Sequence, residues 1–306
     1  AFARPPLASE RVAADLAQVA RESDPRGLMR FLALLDHLDA LAPEAALAAL
    51  RDLSAGPSLR SARARLELAA LTDAPPPAEV LTDGLATAEL APDGDIQVLH
   101  QHLVRRGAAE VGTPFDPDDP DRRWSIVGAG PLGAIALDQL VPGPGRVVLH
   151  VALPIAVTRA TAGVLRLGAS GDLAVSIAGG DDRFIGVALG LERAVPDQLE
   201  APLTLAPGRY VLLFTLRPNA AEPALLRVRF DAQASLLPAS QVTASLAWRP
   251  FEVAIQAPAL AWNADVRALM GSHGALDGLV LARLMGLPDL APRTRALRSA
   301  YLSLEE

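Results

Sequence analysis

Between Trp124 and Phe230 the chain changes texture, and that change limits what it can fold into. Ala/Leu/Arg-rich sequence with helical spacing flanks a central run of short apolar segments cut by Gly, Pro and Asp. The segments 146–153, 163–167, 173–178, 184–189, 202–205, 210–216 and 225–230 have strand length and are bounded by turn residues. Closely spaced short strands with no helices between them predict an antiparallel β-sandwich rather than a doubly wound sheet.

The flanks complete an α+β, multidomain expectation. Residues 1–72 read as an N-terminal helical array. Leu28, Phe31, Leu32, Leu35 and Leu38 form one stripe after a start signal at Ser23–Asp24–Pro25, and helices follow at 43–53 and 59–71. Residues 73–123, opening near three consecutive prolines, read as a linker with a short helix at 96–106. The sandwich takes 124–232. Residues 233–306 are mixed and then helical at 264–270, 276–285 and 293–304, in a rhythm like the start of a helical repeat.

Composition removes several function classes. A net charge of −7 opposes nucleic-acid binding, which needs a concentrated basic face. All 28 basic residues are Arg, which together with abundant Ala, Pro and Leu reads as a GC-rich genome's usage. Cysteine is absent, so disulfides, Cys-ligated zinc, Fe–S clusters and a thiol nucleophile are excluded within this sequence. No uninterrupted apolar run reaches the ~18 residues of a transmembrane helix. The sequence begins at Ala1 rather than Met, and its last helical segment has no cap. The expectation is a removed signal peptide or a piece of a longer polypeptide.

Four motifs carry candidate chemistry. Gly128, Gly130 and Gly133 follow a strand-like 124–127 and precede a helix-like 132–140, as in a dinucleotide-binding turn. The acidic residue that should close the next strand is missing, and the sequence beyond is hairpin-like, so a glycine-rich strand connection is preferred and no cofactor is expected. Asp116, Asp118, Asp119 and Asp121 offer hard oxygen ligands. Without a mid-loop Gly and a late Glu they read as a solvated linker rather than a calcium loop, and no metal is expected. His100 and His102, two apart on a helix, point roughly 200° apart and make a poor metal pair. Trp248 and Trp262 are the candidates for an exposed sugar-stacking platform, although aromatic content is only 4%. There is no G-x-S-x-G, and five histidines leave little for a hydrolase triad.

Read in order, the central block resembles a known arrangement. It opens with Arg123–Trp124–Ser125–Ile126–Val127–Gly128, continues through the run from Val164 to Val175 and through Pro196–Asp197–Gln198, and reaches Ala206–Pro207–Gly208–Arg209–Tyr210. The series is similar to the galactose-binding-like (jelly-roll) sandwich near the N-terminus of large tetratricopeptide-repeat proteins of high-GC bacteria, which often carry a transglutaminase-like half. The resemblance implies helices before the sandwich, repeats after it, and a periplasmic or envelope location. A hairpin that reads W-x-N-G in that family is here Ser176–Ile177–Ala178–Gly179, so the Trp and Asn are missing.

The expectation is a non-catalytic protein–protein interaction or scaffold module of a larger bacterial assembly or polypeptide, with other protein subunits as partners. A carbohydrate-binding module with a glycan ligand is the alternative. A dinucleotide-dependent oxidoreductase using Gly128, Gly130 and Gly133 is a second alternative.

Overall fold

The structure is a computed structural model. It describes residues 14–16, 18, 43–55, 59–74 and most of 81–264, with interruptions at 82, 91–93, 131–133, 142–146, 181, 192–193, 195–196, 221, 232–243 and 255–257. The chain divides into two units, one made of residues 1–77 and 264–306 and the other of residues 78–263.

In the first unit, α1 (Pro43–Ser54) and α2 (Leu59–Leu71) pack against each other. Proline opens α1, and Glu44 and Arg51 lie in its first and last turns, each on the favourable side of the helix dipole. Ala46, Leu50 and Leu53 form its buried stripe. The Arg65 guanidinium donates to Ser54 O at 2.8 Å, covering a carbonyl that the end of α1 leaves open. The leucine stripe at 28–38 and the segments read as helices at 276–285 and 293–304 lie outside the described residues, as does 264–270 beyond Ala264.

The second unit is mostly antiparallel sheet, β-sandwich-like. A six-stranded sheet has the order β3 (Ser125–Gly128), β1 (Asp83–Leu90), β5 (Val147–Val157), β10 (Gly208–Arg217), β7 (Gly171–Ala178), β8 (Arg183–Leu191). A five-stranded sheet has the order β13 (Ala261–Trp262), β9 (Leu199–Leu205), β6 (Thr161–Ala169), β11 (Leu225–Asp231), β4 (Ala134–Ala136). A two-stranded ribbon pairs β12 (Ser245–Ala247) with β2 (Ala108–Glu110). Among the described residues every pairing between these strands is antiparallel.

Alternation assigns the faces. Leu149, Val151, Leu153, Leu173, Val175, Leu212 and Phe214 of the six-stranded sheet share one core with Leu165, Leu167, Leu203, Leu226, Val228 and Phe230 of the other. The six-stranded sheet is covered on its far side too. Helix α3 (Ile96–Arg106) lies there, and Leu85, Ala152, Val211 and Leu213 form a second core with Leu103, Val104, Phe115, Trp124 and Trp248. Double coverage explains why β5 reads as a nearly unbroken apolar run, whereas β9 alternates buried and exposed positions.

The segment read as a linker contains both α3 and β1, and β1 is an interior strand. Its sequence, DGLATAEL, carries little of the β-branched and aromatic signal that announces strands. Small residues are required there by closeness to β5: a Cβ on Gly84 would lie 2.3 Å from Leu153 Cδ2 and 2.6 Å from Ala152 O. The helix read over 132–140 is, among the described residues, strand β4 followed by a 3-10 turn at Asp138–Leu140.

Candidate functional site

Four neighbouring strands place polar side chains on the face beneath α3. Thr215 of β10 and Thr87 of β1 are the direct cross-strand partners of His150 on β5, and Ser176 lies on β7. Helix α3 presents Ile96, Leu99, His100, Leu103 and Val104 to this surface, so one imidazole sits amid an aliphatic stripe. His100, His150, Ser176, Thr215 and Thr87 are all fully buried.

The side chains join in one chain of hydrogen bonds. Ser176 Oγ is 2.7 Å from His100 Nε2, and His100 Nδ1 is 2.8 Å from Thr215 Oγ1. Thr215 Oγ1 is 3.1 Å from His150 Nδ1, and His150 Nε2 is 2.8 Å from Glu89 Oε2. Glu89 Oε1 also meets His102 Nδ1 at 3.3 Å, where the chain reaches the surface. The Phe115 ring stacks on His150 at 4.2 Å between centroids, and Phe184 lies 5.6 Å from His100.

Electrostatics set the protonation. Burial holds the His100 imidazole down to about 3, with the facing His150 adding to the effect. Burial also lowers His150, outweighing the upward pull of its bond to Glu89 and of that carboxylate's charge. For Glu89 burial acts upward, but the bonds and charges of His150 and His102 outweigh it and leave the carboxyl below its usual range.

Two neutral imidazoles and one carboxylate fix the direction of every bond. Glu89 can only accept, so His150 donates from Nε2 and accepts at Nδ1 from the Thr215 hydroxyl. Thr215 oxygen then accepts from His100 Nδ1–H, and His100 Nε2 accepts from the Ser176 hydroxyl. A carboxylate, an imidazole and a hydroxyl in line is also how a nucleophile is activated. Here Thr215 is fully buried and already accepts a hydrogen bond, so its oxygen faces another protein group and not a substrate.

A strap holds α3 on its other flank. The Trp248 indole N–H donates to Val104 O at 3.0 Å, and Trp248 N donates to Gly107 O at 2.8 Å. Gln101 donates to Phe251 O at 3.0 Å and accepts from Val253 N at 2.6 Å, clasping the segment as a paired strand would. Arg105 reaches both carboxylate oxygens of Glu252. Gly107, with φ +76°, ends α3 in the left-handed conformation that turns the chain into β2. Trp248→Phe keeps most of the apolar contact and loses one buried bond, an expected cost of about 1–2 kcal/mol in urea unfolding.

Of the residues singled out in the sequence, His100 and His102 belong to this chain and the others lie outside it. Trp248 is 7% exposed in the second core, and Trp262 is half-buried against the first. Gly128 ends β3, and Gly130 N donates to Ala134 O of β4 at 2.9 Å; Gly133 lies outside the described residues. The side chain of Asp116 caps Asp118 N at 2.9 Å, and Asp119 pairs with Arg122 at 2.8 Å; Asp121 is exposed. Among the described residues no group of three or more His, Cys, Asp or Glu could hold a metal ion. The acidic loop instead delivers Phe115 onto His150. His100 and His102 do diverge as the helical period requires, one buried and one 44% exposed, yet Glu89 and His150 connect them to the same chain.

Thr87 provides an internal control. Its hydroxyl is fully buried beside His150 and has no hydrogen-bond partner among the described residues. Thr87→Val is therefore expected to be neutral or stabilising by about 1 kcal/mol, whereas Thr215→Val breaks the chain in two places and should cost about 2–3 kcal/mol. Equal losses in chemical denaturation would contradict the assignment.

No protein-family model and no curated protein matches the chain. Among solved structures it has a likeness to Streptomyces albus HEPD with substrate 2-hydroxyethylphosphonate and Fe(II) bound, at 15% identity over 92% of this chain and 48% of that chain. The chain thus spans about half the length of that protein, and at a TM-score of 0.11 the likeness carries no argument about fold or chemistry.

Proposed function

We propose that the chain is a non-catalytic protein–protein interaction or scaffold module, part of a larger bacterial envelope-associated assembly or polypeptide. The observation that carries this reading is the enclosure of its richest set of reactive side chains. Ser176, His100, Thr215 and His150 are fully buried and bonded to one another, so their chemistry acts on the protein itself. In this reading the sandwich is of the galactose-binding-like, jelly-roll kind, preceded by a helical array and followed by the first helices of a repeat. Two antiparallel sheets sharing one core support it. Ser176 stands where the resembled pattern has its Trp and is engaged with His100, which is a departure from that pattern and speaks against a ligand there.

Short edges shape how partners would bind. The five-stranded sheet ends in a two-residue and a three-residue strand, β13 and β4. On the six-stranded sheet the β8 edge is met by Val187 pairing with Ala259. Such edges are poor templates for an added strand, which favours binding through faces and loops.

The test is isolation of the protein from its native source after mild crosslinking. The expected result is a stoichiometric protein partner whose crosslinks map to exposed residues of 78–263. A homogeneous chain that turns over a substrate, with the activity lost in His150→Gln, would contradict the proposal.

A further inference from the structure

The hydrogen-bond chain under α3 contains four bonds, Ser176–His100, His100–Thr215, Thr215–His150 and His150–Glu89. Four protons serve them: one from each hydroxyl and one from each neutral imidazole. There is no slack. A proton added to His100 makes both ring nitrogens donors, and the Ser176 hydroxyl proton loses its acceptor. A proton added to His150 turns its Nδ1 against Thr215, reverses the Thr215 and His100 bonds in sequence, and again strands the proton of Ser176.

Charge adds to this mismatch. The titratable and charged groups facing the layer are Glu89 on β1, His150 on β5 and His102 on α3, with the Arg217–Asp172 pair of β10 and β7 toward the N-terminal end of the helix. Arg217 also donates to Gly94 O just before α3, and Asp95 occupies the N-cap. On the outer side Arg106 lies over Phe115, and Arg105 is paired with Glu252. Of these carboxylates Glu89 is the one bonded to an imidazole of the layer, and it contacts His150, two bonds away from His100.

We propose that α3 is an acid-released latch, held on the six-stranded sheet by the Ser176–His100–Thr215–His150–Glu89 chain while both imidazoles are neutral and freed when they gain a proton. The two-sheet core beneath is apolar and takes no part in the titration. The sign follows from burial: the imidazoles bind protons more weakly closed than open. The closed state is therefore favoured fully above the ordinary histidine value of 6.5 and loses its advantage as pH falls below it.

The experiment is amide hydrogen exchange of the full chain at pH 7.5 and 5.0, corrected for the intrinsic rate. Peptides from Ile96–Arg106 are expected to lose protection at least tenfold at pH 5.0, while those from β5 and β10 keep theirs. The double variant His100→Leu/Ser176→Ala removes the ring with no counter-ion together with its hydroxyl partner, and α3 should then lose clearly less protection at pH 5.0 than in the wild type, the remainder coming from His150. Unchanged α3 protection in the wild type would overturn the proposal. So would simultaneous loss in α3 and β10, or a variant that opens as the wild type does. Should the variant not fold, the wild-type comparison between α3 and β10 decides alone.

Discussion

Gly171→Ala is expected to destabilise the second unit by about 3–5 kcal/mol, enough to reduce yield of folded protein. The chain passes from the five-stranded to the six-stranded sheet between Ala169 and Gly171, with one residue between strands. That crossing forces Gly171 to φ +99°, a conformation that L side chains rarely adopt. An added Cβ would also lie 2.0 Å from Arg217 O and 2.8 Å from Asn219 N, and both are backbone atoms. Neither obstacle can be relieved by a rotamer change, because β10 is fixed between β5 and β7. Chemical denaturation of Gly171→Ala beside Gly190→Ala measures the difference. Gly190 also has positive φ but open space around it, so it should lose only the conformational part, roughly 1 kcal/mol.

His100→Ala should cost about 3–5 kcal/mol at neutral pH, from a cavity under α3 and two buried hydroxyls left without their imidazole. For a unit of this size that is roughly a 10 °C fall in Tm. The same substitution should flatten the dependence of stability on pH. In the folded protein His100 titrates at about 3, below the unfolded value of 6.5. The unfolded state therefore binds the extra proton as pH falls through that window. The wild type should lose about 2 kcal/mol from this residue between pH 6.5 and 5, and His100→Ala should lose correspondingly less. A variant as pH-sensitive as the wild type would show that His100 is not the buried neutral group described.

Sequence pattern reaches the sheets and stops at the site for identifiable reasons. Segments such as 146–153 and 210–216 are legible because strands covered on both faces must be apolar throughout. Helix α3 is legible from its period, and the opposite directions of His100 and His102 follow from it. Strand β1 is not, since Gly84 is dictated by contact with β5 rather than by strand propensity, and Ala86 and Ala88 carry no β-branched or aromatic signal. The site is assembled from positions 89, 100, 150, 176 and 215, and only register brings them together. A lone His150 in the run Val147–Val157 was the available signal: a titratable residue inside a doubly buried strand needs a partner. The acidic loop misleads in the other direction, because its aspartates close local turns while Phe115 makes the contact that matters.

The central claim is that both imidazoles are neutral, buried and fixed in direction by Glu89. Ring nitrogen chemical shifts of histidine-labelled protein at pH 7.5 test it directly, because they separate the two tautomers from each other and from the imidazolium. The account requires His100 protonated at Nδ1 and His150 at Nε2. An imidazolium at either position, or the averaged tautomers of a solvent-exposed ring, would contradict it.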